Sequence, residues 1–193
     1  MKRFCTMIAF ALFAGILSVP TFAQGTVHVD AAKAAPKPIV GASQALLESW
    51  NDIGRKLTDM ASDFPEDKYD YKPTPAQRSF SEQILHAAGA NYYFINAATG
   101  QAQPTGDPSR KQYKTKADVV AFVKKSFADG AELIKKKGDE GLDDPVADPF
   151  GSKQYRFADM AWGFVEHDGE HYGQLVGYYR LNGIVPPESR PKK

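Results

Sequence analysis

Apolar and polar positions alternate along this chain with the period of a helix in four separate stretches. Between Ile39 and Ser62 the apolar residues Leu46, Leu47, Trp50, Ile53, Leu57 and Met60 recur every three or four positions, the stripe of an amphipathic helix. Phe64-Pro65 ends it, and the Pro- and charge-rich run from Pro65 to Arg78 is a loop whose two tyrosines, Tyr69 and Tyr71, are expected to pin it to the bundle. A second helix opens at Ser79-Phe80-Ser81-Glu82. Ser and Glu at this spacing can each satisfy a free backbone N–H at a helix start. Ile84, Leu85, Ala88, Tyr92 and Ile95 carry it to about Ala98, and Gly100 stops it.

Residues Gln101 to Tyr113 form another polar loop, and a third helix follows a weaker cap at Thr115-Lys116-Ala117-Asp118. Its apolar positions run from Val119 to Ile134, and lysines in its last turn complement the negative helix end. Gly130 leaves open whether this is one helix or two short ones. A loop, GDEGLDDPVADPFGSKQY, leads to a long fourth helix from about Arg156 to Leu181, closed by Asn182-Gly183 and Pro186-Pro187. Almost no period-two alternation is present, and no internal repeat. Four such segments predict an all-α fold, a four-helix bundle.

The start of the chain is patterned differently. Met1-Lys2-Arg3 is followed by an apolar run from Phe4 to Val19 and by Pro20-Thr21-Phe22-Ala23, with Gln24 as the new N-terminus. This is the layout of a secretory signal peptide, and the run is shorter than the roughly 20 residues of a membrane span. The expected organisation is a signal peptide at 1–23, a flexible leader at 24–38, the bundle at 39–187 and a tail at 188–193. His28 falls in the leader and is discounted as a ligand. The protein is expected to be exported, to a periplasm, with no stable membrane anchor.

Composition narrows the function classes. The single cysteine, Cys5, lies in the signal segment, so the mature chain has none to oxidise. Without Lys2 and Arg3 the 24 basic residues become 22, against 23 acidic. A balance so near neutral argues against nucleic acid or an anionic membrane as partner.

The chemistry lies in the histidines. His167 and His171 are four apart in the fourth helix, about 40° apart on one face and one turn above the other. Two imidazoles so placed can bind one metal. His86, one turn into the second helix, can meet them across a bundle and complete a set of three nitrogen ligands, with water or substrate in the remaining positions. Such a pair also occurs without metal, as ordinary packing. Glu170 and Gln174 share the histidine face, at about 60° and 20° from His167. Glu170 is the candidate general base. Glu166 and Asp168 are about 100° away and are expected to be solvated or to support the ligands from behind. Tyr93 shares the face of His86 and either lines a pocket or packs in the core.

Two segments carry a resemblance: PEDKYDYKPTPAQRSFSEQILHAAGANYYF around His86 and HDGEHYGQLVGYYRLNGIVPP around His167 and His171. With Gln174-Leu175, Arg180-Leu181 and Gly183 after the histidine pair, they are similar to the DinB-like (DinB/YfiT) family over roughly Ile39 to Pro187. The resemblance implies an up-down-down-up bundle, often a homodimer, with a divalent transition metal, nickel or zinc, held by His86, His167 and His171. Some relatives are thiol-dependent transferases or isomerases and others are regarded as metal-dependent hydrolases. An exported member has little access to a cytosolic thiol, so hydrolysis of a small-molecule substrate is the expected chemistry. The alternative is a non-catalytic protein that binds metal or a small ligand.

Overall fold

The computed structural model describes residues 40–191. The expected signal segment, the leader and His28 lie outside the described residues. Four helices build the described part: α1 (Ala42–Asp63), α2 (Phe80–Thr99), α3 (Lys116–Lys137) and α4 (Phe157–Leu181). Among the described residues no helix is long and apolar enough to cross a membrane.

The helix boundaries follow local chemistry. Ser79 Oγ accepts the Glu82 N–H at 3.2 Å, and Glu82 Oε2 accepts the Ser79 N–H at 2.7 Å. Thr115 and Asp118 form the same reciprocal pair at 3.1 and 2.9 Å. Gly100 ends α2 in the left-handed conformation, φ 70°, which costs glycine no Cβ clash. The start of α1 has no side-chain cap of its own. Asp139, just beyond α3, accepts the Ser43 N–H at 2.7 Å instead.

Cross-helix contacts fix the direction of each helix. The start of α1 meets the end of α3 through Ser43 and Asp139, and Lys116 at the start of α3 donates to Phe64 O at the end of α1. These two helices are antiparallel. Tyr179, late in α4, donates to Met60 O late in α1, so that pair is parallel. Phe80 meets Tyr178 and Phe94 meets Phe157, which sets α2 against α4. The order is therefore up-down-down-up. α1 and α2 face each other only slightly, across the diagonal.

Trp50, Phe94 and Phe127 meet at the centre, with centroids of Trp50 and each phenylalanine 5.6 Å apart. Gly130 does not divide α3, which is one continuous helix. A Cβ at Gly130 would stand 2.1 Å from Trp50 Cζ2. Glycine in a helix costs about 1 kcal/mol relative to alanine, whereas burying a large apolar side chain contributes roughly 1.5–3 kcal/mol. The indole therefore decides the residue. Its N–H donates to Phe127 O at 2.9 Å, so no polar atom of the ring is left unpaired in the core.

The loop from Pro65 to Arg78 is held as expected. Tyr69 is fully buried, its hydroxyl donates to Ala61 O, and Tyr71 meets Tyr178 edge-on. The loop before α4 differs from its expected irregular form. It holds a small antiparallel hairpin, β1 (Pro145–Ala147) and β2 (Gln154–Arg156), with Val146 opposite Tyr155. Three-residue strands are too short to show alternation in a sequence. Beyond α4, Pro187–Ser189 makes a short 3-10 turn. Arg190 forks onto Asp63 at 2.6 and 2.8 Å, tying the expected tail to α1.

The parallel run of α2 and α3 has a direct consequence for the site. The connection between them must travel back along the bundle. It lies tightly on α2 because Gly89 has no side chain: a Cβ there would stand 2.5 Å from Pro108 Cδ. The residue before that proline is Asp107.

Candidate metal centre

His86 on α2 and His167 and His171 on α4 meet at the α2–α4 seam, as the sequence predicts. One ligand atom from each lies within 4.8 Å of the others. The Nε2 atoms of His167 and His171 are 3.0 Å apart. Two nitrogens about 2.1 Å from one ion stand about 3.0 Å apart at a right angle and about 3.4 Å apart at a tetrahedral one. The observed separation falls at that lower bound.

Two of the three imidazoles are held from behind by their Nδ1 edges. His86 Nδ1 is 2.8 Å from Asp107 Oδ2, on the returning loop, and Asp107 also receives Arg78 at 3.3 Å. His171 Nδ1 contacts the Gln83 side-chain amide, which in turn meets Gln174 Oε1 at 2.6 Å. His167 Nδ1 is buried without a hydrogen-bond partner, and Asp168 Oδ1 is 3.9 Å away. With the three Nδ1 edges turned to the protein, Nε2 is the atom each ring has left for an ion. Backing of this kind fixes the tautomer and orientation of ligating histidines.

Gln83 presents its NH2 to His171 Nδ1, which suits an imidazole whose proton is on Nε2. A metal at Nε2 needs the proton on Nδ1 and an acceptor for it. Turning the amides of Gln83 and Gln174 end for end provides one: Gln83 Oε1 then accepts from both His171 Nδ1–H and the Gln174 NH2. The pair can serve either tautomer without moving a backbone atom.

Burial pushes the His171 imidazole down to about 4 and also lowers His86, where loss of solvent outweighs the pull of Asp107. Neutral rings keep the lone pairs that metal binding requires. Asp168 is fully buried, with neither oxygen hydrogen-bonded among the described residues. Loss of solvent pushes its carboxyl up to about 7, only partly offset by His167. Orphaned buried donors and acceptors beside converging imidazoles are the features a bound cation would complete. The residues present fit a divalent metal.

Glu170 is exposed on the α4 turn between His167 and His171, and among the described residues no ion pair or hydrogen bond engages it. Glu166 is exposed as well. Tyr93 is half-buried, and its ring meets that of Phe150 at 4.9 Å, inclined by 43°.

Sequence reasoning did not find Gln83 or Asp107, and left Asp168 between two roles. Gln83 is three residues before His86 on the same helix face and, unusually for glutamine, buried. Asp168 occupies a core position in the series Phe157, Ala161, Phe164, Asp168, His171, Leu175, Tyr178, whose steps alternate between four and three. That register was the available signal. Asp107 arrives from a distant loop and carries none.

Residues 50–175 match the family model of the DinB superfamily, a region that includes all three histidines. Solved structures share the fold. A DinB-like protein from Bacillus cereus is 15% identical with a TM-score of 0.63, covering 75% of this chain and 95% of its own. A DinB-like protein from Bacillus subtilis, YjoA, is 18% identical with a TM-score of 0.58, covering 77% and 99%. YfiT from Bacillus subtilis, described as a probable metal-dependent hydrolase with an unusual four-helix bundle topology, is 13% identical with a TM-score of 0.60, covering 77% and 93%. No curated protein sequence matches.

Proposed function

The chain belongs to the DinB superfamily, and we propose that it is an exported, metal-dependent hydrolase of a small molecule, its ion (nickel or zinc) held by His86, His167 and His171. The observation that carries this reading is the convergence of three imidazoles whose Nδ1 edges face Asp107, Gln83 and Asp168. The description of YfiT as a probable metal-dependent hydrolase supports it. A divalent ion bound there would supply Lewis acidity.

The chain's own groups do the rest. Asp107 holds the His86 ring in place and is itself held by Arg78. Gln83 and Gln174 accommodate the His171 tautomer. Glu170, exposed between the two α4 ligands, takes the proton from an attacking water. Export rests on the pattern of residues 1–23.

The test is elemental analysis of untagged protein beside His171→Ala, joined to thermal unfolding with and without a chelator. The expected result is about one transition-metal ion per chain, lost in the variant, with a lower Tm after chelation because the ligand binds the native state. Parent protein without metal after reconstitution would overturn the reading. With metal present, Glu170→Gln should keep the ion and lose turnover in a hydrolase screen.

A further inference from the structure

An apolar pocket of about 210 Å³ lies on the α4 side of the metal centre, between the hairpin and the helix. Its floor is Met160, Gly163 and Phe164, and its outer wall is Phe150 and Tyr155. Three observations tie it to the histidines. Gly163 is one turn before His167 on the same helix face, and nothing stands within 4 Å of where its Cβ would be. The Phe164 ring is 6.1 Å from the His167 ring, so one side chain borders both spaces. The Phe150 ring meets Tyr93 at 4.9 Å, inclined by 43°, and Tyr93 is two turns from His86 on its face of α2.

Phe150 is 72% exposed. An exposed phenylalanine forgoes most of the free energy its burial would contribute, and here it sits over a concave apolar surface. The two carboxylates at the rim are already engaged. Asp148 accepts the Phe150 N–H, and Asp159 pairs with Arg156. What is left to recognise a ligand is aromatic and aliphatic surface.

We propose that this pocket receives the apolar arm of the ligand that binds the metal centre. The substrate class is then a small molecule with a compact aryl or branched alkyl group, joined by a short linker to a metal-coordinating, hydrolysable group. The inference rests on the metal reading above. The pocket is smaller than the roughly 300–1,000 Å³ of drug-sized sites, which limits the arm to about one ring.

Hydroxamates, which chelate metals whatever their side group, are the probe. Nickel-loaded protein is titrated by calorimetry with acetohydroxamate and phenylacetohydroxamate, in the parent and in Gly163→Leu and Phe150→Ala. The expected result is phenylacetohydroxamate binding about tenfold or more tightly than acetohydroxamate in the parent. In Gly163→Leu, where the new side chain fills the pocket, that preference disappears while metal content stays full. Phe150→Ala reduces it. Equal binding of the two probes by loaded parent protein would overturn this inference alone, as would a preference that survives Gly163→Leu. Failure to load either nickel or zinc would overturn the metal reading and this inference with it.

Discussion

Asp168 Oδ1 stands 3.9 Å from His167 Nδ1, both in buried surroundings and neither hydrogen-bonded among the described residues. Neighbouring residues on a helix rarely face one another. Here Asp168 points into the core and the His167 ring turns its Nδ1 edge toward it. An acid buried without a partner is costly, and this one becomes useful only when the imidazole has a proton to donate, as it does with a cation on Nε2.

Asp168→Asn therefore has opposite effects in two states. With metal present, affinity is expected to fall about 10- to 100-fold, the usual effect of losing a group that orients a ligand. In chelator the variant is expected to be as stable as the parent or more so, because an unpaired buried carboxyl is gone. A metal titration and a thermal melt in chelator read the two separately. Unchanged metal affinity would show that Asp168 does not support the ligand.

Gly89 tests how the returning loop serves the site. A Cβ there would meet Pro108 at 2.5 Å, so Gly89→Val is expected to lift the loop and draw Asp107 away from His86. Metal affinity should drop while helical content by circular dichroism stays the same. Asp107→Asn should show the same loss without moving the loop. If Gly89→Val binds metal as the parent does, contact between the loop and α2 is not what positions Asp107.

Gly130→Ala is expected to destabilise the bundle by about 1–3 kcal/mol, the range for overpacking a core. Alanine is otherwise the better helix former, so a gain in stability would mean that Trp50 can move aside. Denaturant unfolding gives the sign.

Arg190 and Asp63 give a pH-dependent outcome. The Arg190 guanidinium holds the Asp63 carboxyl below its ordinary value, against the opposing effect of burial. A depressed carboxyl contributes stability above its unfolded value, near 3.8, and loses it as pH falls through the lower folded value. The pair is partly exposed, at 41% and 32%, so solvent screening keeps its contribution small. Arg190→Ala should lower the denaturant midpoint at neutral pH, and the loss should shrink in acid, below the unfolded value and toward the lower folded one. An equal loss in both conditions would trace the effect to packing of the 3-10 turn.

The helices were legible because their signals are local. The Ser79–Glu82 and Thr115–Asp118 boxes span four residues, and the apolar stripes repeat every turn. The histidine pair on α4 was legible for the same reason. Helix order around the bundle was not contained in the periodicity; it came from resemblance to a family, and the contacts of Tyr179, Lys116 and Ser43 bear it out. Asp107 could not be found, since 21 positions and a chain reversal separate it from His86. Angles taken from His167 alone left the role of Asp168 open, because they fixed its position relative to a ligand and not relative to the core.

The crossover between α2 and α3 divides the protein into two kinds of material. The histidines stand on helices locked by Trp50, Phe94, Phe127 and Phe157. One side of their surroundings is a connecting strap whose length and composition bear little of the core's weight. Surface connections tolerate change far better than packed helices. A substitution in the strap, Asp107 included, therefore changes what backs His86 while the packing around Trp50 stays as it is.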